Sequence, residues 1–188
     1  MTTLQNRKII VAFDLHPRRF AFAVFKGPNE LLDFGARSFP RGPNAVRVPT
    51  QAKLAAIFEN FDPVAVILSD RRFRRGGRKS RIAHALQKQA LERGLPLRFV
   101  TTAAVKKAFA GHDSNKHEIA SALARQFPAL AAKLPPKRKI WQTECYRMSM
   151  FHAAALGVAY FARGKKAKGE FSSDGPDDAT AQHIVSIP

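Results

Sequence analysis

The chain has 188 residues, 45% of them hydrophobic, and sets 32 Lys and Arg against 14 Asp and Glu for a formal net charge of +18. That length buries one substantial core and calls for no second large domain, while that charge repels itself unless it faces a polyanion, which makes nucleic acid the expected partner. A membrane partner is disfavoured, because no apolar stretch reaches about 18 residues and Met1 to Lys8 lacks the basic-then-apolar order of a signal peptide; the expected setting is the cytoplasm, in association with the nucleoid.

Three short apolar runs open the chain, Lys8 to Phe13, Phe20 to Phe25 and Leu31 to Phe39, separated by His16-Pro17-Arg18-Arg19 and Lys26-Gly27-Pro28-Asn29-Glu30. Apolar runs between such turns predict a three-stranded antiparallel meander. Asp14 closes the first run, and strand alternation gives it the face of Ile10 and Ala12. After a Pro/Gly/Arg loop from Pro40 to Pro49, Leu54, Ile57, Phe58 and Phe61 fall at helical spacing over Gln51 to Phe61. A strand from Val64 to Leu68 follows and also ends on a carboxylate, Asp70, which alternation assigns to the face of Val64, Val66 and Leu68. If the two strands lie side by side and parallel, both carboxylates emerge at one sheet edge. Hard divalent cations need converging carboxylate oxygens, and Mg²⁺ held this way activates phosphodiester chemistry. An Asp after a strand also serves as a turn former, so the pairing carries the inference, not either residue alone.

The next stretch is the clearest binding feature. Arg71, Arg72, Arg74, Arg75, Arg78, Lys79 and Arg81 crowd a segment broken by Gly76-Gly77, where the backbone can approach a phosphate chain and Arg forks can pair with its oxygens. Phe73 in its middle has the shape to stack on or wedge between bases. The plain alternative is a solvated charge run. A helix over Ile82 to Arg93, a strand over Leu97 to Val100, and helices over Ala103 to Phe109 and Lys116 to Phe127 follow. His112, Asp113, His117 and Glu118 have loosely ligand-like spacing, but Asp113 or Ser114 before a helix reads more simply as its cap. Pro135-Pro136-Lys137-Arg138-Lys139-Ile140-Trp141 is a second basic segment with an aromatic. Cys145, the single cysteine, excludes an intrachain disulfide and argues against structural zinc. The last strong element runs from about Thr143 to Arg163, with Met148, Phe151, Ala155, Val158 and Ala159 as its core-facing stripe. Residues 164–188 turn polar, Lys-rich and then Asp-rich, which predicts a flexible tail after a domain of residues 1–163.

A meander followed by alternating helices and strands gives a mixed sheet with helices on both faces. This order, with one acid on the first strand and another after the fourth, resembles the RNase H-like superfamily: an α/β, five-stranded mixed sheet combining the meander with parallel strands. Within it the chain is similar to the RuvC-like Holliday-junction resolvases. The segment from Val100 to Gly111, containing Val105-Lys106-Lys107, and then Ser114-Asn115-Lys116-His117-Glu118, resembles that family's strand, "VKK" helix, glycine turn and Lys-Glu-started helix. Ala155-Leu156-Gly157-Val158-Ala159-Tyr160 resembles its terminal helix. The likeness runs over residues 8–163.

The resemblance implies a carboxylate cluster with one acid on strand one, one after strand four and one or two on the last helix. Asp14 and Asp70 match the first two. The last helix departs from the family's Asp-x-x-Asp: depending on register, its acids fall at His152 and Ala155 or at Phe151 and Ala154, and of these only His152 can ligate. Glu144, eight residues earlier, lies about two helical turns away on roughly the same face. A neutral imidazole can hold a divalent ion, though it suits Mg²⁺ less than a carboxylate does. The implied activity is structure-specific, Mg²⁺- or Mn²⁺-dependent cleavage of branched DNA, with Asp14, Asp70, Glu144 and His152 as catalytic and metal-ligating residues and a homodimer as the acting form. Phosphate contacts fall to the Arg71–Arg81 loop, Lys106, Lys107, Lys116, Lys137, Arg138 and Lys139. Two other readings stay open: a binding protein that kept the fold and lost cleavage, and a subunit of a larger nucleoprotein assembly.

Overall fold

The computed structural model describes residues 9–17, 19–39, 47–70, 81–110, 115–137 and 145–169. Strands β1 (Ile10–His16), β2 (Arg19–Gly27) and β3 (Glu30–Ser38) form the antiparallel meander. Helix α1 (Arg47–Phe61) leads to β4 (Ala65–Ser69), and α2 (Arg81–Glu92) leads to β5 (Leu97–Val100). Helices α3 (Thr102–Ala108), α4 (Lys116–Gln126), the short α5 (Pro128–Ala131) and the long α6 (Met148–Gly169) complete the described elements. The five strands lie in the order β3-β2-β1-β4-β5, with β1, β4 and β5 parallel. The expected mixed sheet with helices on both faces is therefore present. No described helix is long and apolar enough to cross a membrane.

Two cores lie on opposite faces of the sheet. Val11, Phe13, Phe20, Phe22, Val24, Val66 and Leu68 pack against Leu54, Ile57 and Phe58 of α1 and Ile82 and Leu86 of α2. Ile10, Ala12, Ala21, Ala23, Ala65 and Ile67 pack against α3, α4 and α6. Because β1, β2 and β4 are covered on both sides, their sequences read as unbroken apolar runs rather than alternating ones. The alternation persists as size: phenylalanines dominate one face and alanines the other. Small residues let a helix approach closely, and α6 answers with Ala153, Ala154, Ala155 and Gly157.

The close approach is sharpest at Gly157, where an added Cβ would lie 2.7 Å from Cδ2 of Phe25 and closer still to Cε2. α6 is consequently buried over most of its first three turns, a wider apolar surface than the expected stripe of Met148, Phe151, Ala155, Val158 and Ala159. The reason is position, since α6 is sandwiched between the sheet and helices α3 and α4.

Several boundaries differ from the sequence expectation. α1 begins at Arg47 rather than Gln51, with Pro49 in its first turn, where the missing N–H removes no helical bond. α6 begins at Met148 rather than Thr143: Cys145 to Arg147 are exposed or half-exposed, and short i→i−3 bonds from Met148 to Cys145 and from Ser149 to Tyr146 tighten the entry. Without apolar burial there, the extra helical turn has nothing to stabilise it. At its other end α6 continues to Gly169, past the expected boundary at residue 163. The cap of α4 is Asn115, not Asp113 or Ser114; its side chain accepts from the N–H groups of His117 and Glu118. Gly94, at φ 63°, closes α2 and turns the chain toward β5, its N–H donating to the Leu91 carbonyl.

Candidate active site

Asp14 lies near the C-terminal end of β1, on the face of Ile10 and Ala12, where the sheet meets the start of α6. It is only 2% exposed. A carboxylate so deeply placed must be offered donors, because burial without them costs several kcal/mol, on the order of 2–7 for a polar group. His16 supplies one, its Nε2 hydrogen-bonding Oδ2 at 2.9 Å, and His152 adds a close ion-pair contact, its Nδ1 3.0 Å from Oδ1 but outside hydrogen-bond geometry. His16 follows Asp14 by two residues and so shares its face of the strand. His152 comes from the first turns of α6, and Ser149, three residues before it on the same helix face, places Oγ 3.1 Å from His16 Nε2.

These groups form the floor of a cleft of about 160 Å³ lined also by Ser69, Thr102, Lys116, Met148, Phe151 and Ala155. Lys116 stands directly after the Asn115 cap, which fixes the start of α4 at the rim. Thr102 opens α3 immediately after β5. Asp14 is the only carboxylate in the described lining, facing two imidazoles, an ammonium and three hydroxyls.

The geometry excludes one familiar device. A Ser–His–Asp relay requires the acid on one ring nitrogen and the hydroxyl on the other. Here Asp14 and Ser149 both approach Nε2 of His16. Ser149 therefore orients the ring and is not set up as a nucleophile through it.

The sequence-predicted residues divide into several groups. Asp14 and His152 are brought into direct contact, and Lys116 joins them in the cleft lining. β4 runs parallel to β1 as expected, with Phe13 opposite Leu68. The strand, however, ends at Ser69, one residue later than expected, and Ser69 takes the place in the cleft beside Asp14. Ala65 and Ile67 share Asp14's face, whereas Val66 and Leu68 belong to the opposite core. Asp70 turns into a helical conformation, partly buried, and does not line the cleft.

Lys106 and Lys107 lie in the last turn of α3 and Lys137 follows α5, all three exposed and outside the cleft lining. Arg81 is the first residue of α2. Glu144, Arg71, Arg72, Phe73, Arg74, Arg75, Arg78, Lys79, Arg138 and Lys139 lie outside the described residues. The helical phase that would carry Glu144 toward His152 is interrupted, since α6 begins only at Met148. His117, read as loosely ligand-like, instead places Nε2 3.2 Å from the Pro135 carbonyl.

Four site residues escaped the sequence reading: His16, Ser69, Thr102 and Ser149. His16 carried a usable signal, its two-residue offset from Asp14, but its neighbour Pro17 marked it as turn. Serines among apolar residues carry no comparable signal.

As a ligand set, one carboxylate and two imidazoles are chemically suited to a borderline divalent ion, and to Mn²⁺ better than to Mg²⁺. Among the described residues, no group of three or more His, Cys, Asp or Glu side chains converges to hold an ion. The imidazoles occupy opposite oxygens of the one carboxylate instead.

No family model and no curated protein matches the sequence. Solved structures do match. The structure of Thermus thermophilus RuvC aligns with a TM-score of 0.59 at 19% identity, covering 84% of this chain and 96% of that one. T. thermophilus RuvC in complex with Holliday junction substrate aligns at 0.55 and 16% identity, with 84% and 96% coverage. The yeast mitochondrial Holliday junction resolvase Ydc2 aligns at 0.61 and 10% identity, covering 87% of this chain and 81% of that one. The chain thus has the fold of these resolvase structures, a mixed five-stranded sheet flanked by helices.

Proposed function

We propose that this protein is a RuvC-like endonuclease that cuts branched DNA in a divalent-metal-dependent reaction. The observation that carries the reading is Asp14, a nearly fully buried carboxylate at the end of the central parallel strand, in contact with His152 from α6. Nothing in core packing calls for a charge there, and the fold is one shared by nucleases. The net charge of +18 suits a polyanionic substrate.

Asp14 and His152 are the residues that would hold the ion, with His16, Asp70 or Glu144 as candidate further ligands. A divalent ion held there would supply Lewis acidity toward a phosphodiester oxygen and lower the pKa of a water so that its hydroxide form is available as nucleophile. Lys116 at the rim offers an ammonium to a phosphate oxygen, and the hydroxyls of Ser69 and Thr102 offer further hydrogen bonds to a substrate or its water. The Arg71–Arg81 loop, together with Lys106, Lys107, Lys137, Arg138 and Lys139, would hold the flanking backbone. A homodimer acting on two strands of a junction completes the reading.

A second reading is favoured by a specific observation: Ala155 lines the cleft one helical turn beyond His152, leaving Asp14 as the sole carboxylate in the described lining. On that reading the chain binds branched DNA without cutting it. One experiment separates the two. Four-way junction, duplex, single-stranded and RNA–DNA hybrid substrates are incubated with the protein in Mg²⁺, Mn²⁺ or chelator. Metal-dependent nicking of the junction supports the nuclease; tight binding with no product in any metal supports the binding protein.

A further inference from the structure

A second cleft opens beside the first, one row further along the same sheet face. His16, Arg19 and Ser38 are consecutive cross-strand partners on β1, β2 and β3. Partners in register project to the same side, so the three side chains form a row beyond the Asp14–Ala21–Ala36 row. With Pro17 and Phe39 they line a cleft of about 360 Å³. Its described walls offer an imidazole, a guanidinium and a hydroxyl, and no carboxylate. Nε of Arg19 is buried and has no hydrogen-bond partner among the described residues.

A guanidinium donor withdrawn from water and left unmatched is a cost that folding seldom tolerates without an acceptor to receive it. The acceptor suited to a guanidinium fork is a planar carboxylate or a phosphate, and the described residues place no carboxylate in the cleft. Position selects between ligands further. His16 is shared by both clefts, touching Asp14 on one side and bordering Arg19 on the other. Asp14 pairs with Ala21, and Arg19 lies two residues away from Ala21 on β2, a diagonal cross-strand offset of about 7–8 Å, so an anion on Arg19 would sit roughly one nucleotide step from a phosphate over Asp14.

We propose that Arg19 is a positioning residue that clamps the phosphodiester adjacent to the one over Asp14, fixing which backbone linkage reaches the cleft. The assignment of DNA as the source of that phosphate rests on the nuclease reading. The anion site itself does not.

The test measures binding in chelator, so that cleavage plays no part. A labelled four-way junction carries a single uncharged methylphosphonate, moved one linkage at a time past the branch, and affinity is read by fluorescence anisotropy for wild type, Arg19→Ala and Arg19→Lys. Wild type should lose about tenfold in affinity at one linkage, the size expected for one charge-assisted contact. Arg19→Ala should lose about tenfold on unmodified DNA and nothing further at that linkage, with a salt slope lower by about 0.9. Arg19→Lys should recover the slope but not the full affinity, because a point charge lacks the fork. An Arg19→Ala protein with the wild-type slope, or one that keeps the wild-type penalty at every linkage, overturns the clamp while leaving the nuclease reading intact.

Should wild type bind no DNA at all, the nuclease reading fails and the cleft is judged with inorganic phosphate alone. A saturable shift of the Arg19 Nε–H resonance, assigned by its absence in Arg19→Lys, keeps the anion site. No shift removes it.

Discussion

Replacing Gly157 with Ala tests how the sheet and α6 are held together. The new Cβ would stand 2.7 Å from Cδ2 and 3.1 Å from Cζ of Phe25, whereas ordinary contact begins at 3.4 Å. From 2.7 to 3.4 Å the ring or the helix must give by about 0.7 Å, and by more at Cε2. The ring has little freedom, being fully buried and edge-on to Phe127 at 5.7 Å and Phe161 at 6.3 Å between centroids. Overpacking of this kind costs about 1–3 kcal/mol. Against it stands the better helix propensity of Ala, worth about 1 kcal/mol. The clash is against a rigid ring, which puts overpacking in the upper part of its range, about 2–3 kcal/mol, and the expected net loss is about 1–2 kcal/mol, or roughly 2–8 °C in Tm for a chain of this size.

The same displacement reaches the site. His152 lies five residues earlier on α6, with Nδ1 3.0 Å from Asp14 Oδ1, and a lift of that size opens this close contact. Cleavage of a junction should therefore fall in Gly157→Ala even well below its Tm. Thermal unfolding by circular dichroism and a double-mutant cycle with Phe25→Leu check the cause, since a leucine removes the ring edge and should shrink the penalty in that background. A Gly157→Ala protein with wild-type Tm, or one whose loss simply adds to that of Phe25→Leu, would refute the reasoning.

Three further outcomes follow from the cleft. Asp14→Asn should abolish metal-dependent cleavage while junction affinity in chelator holds or rises, because a ligand and a negative charge beside phosphate are both removed; undiminished cleavage would eliminate Asp14 as a ligand. His152→Ala should lose activity, whereas His152→Asp should raise the Mg²⁺ rate relative to the Mn²⁺ rate, as a carboxylate suits the harder ion better; a silent His152→Ala in cleavage assays with both metals would assign this histidine to packing. Replacing Arg74, Arg75 and Arg78 together with Ala should lower the log-log salt slope of junction binding by about 2.7, near 0.9 per lost phosphate contact, and an unchanged slope would remove the loop from the DNA interface.

Much of the sheet was legible because turn residues punctuate runs that burial on both faces keeps apolar. The β1–β4 pairing was legible for the same reason, and it correctly drew attention to the edge where Asp14 lies. The cleft's details were less so, because they depend on where each strand stops. β1 runs on through His16, bringing a second imidazole onto Asp14's face, although Pro17 beside it signalled a turn. β4 stops at Ser69, and one residue of difference decides which of Ser69 and Asp70 lines the cleft. The rotation of α6, which aims His152 and Ser149 at the sheet, is set by one glycine seated over one phenylalanine. Such a contact spans 132 positions and leaves no trace in hydropathy.

That distance also bears on when the site can exist during folding. His16 and Ser149 are 133 residues apart in the chain, and the closure that joins them carries an entropic cost only offset once α6 has docked on β1 and β2. Until then the alanine-rich face of the sheet is bare and Asp14 has one imidazole instead of two. A ribosome-bound chain that has yet to emit α6 therefore presents an adhesive apolar surface in place of a cleft, and the Asp14 site is assembled only after α6 has emerged and docked.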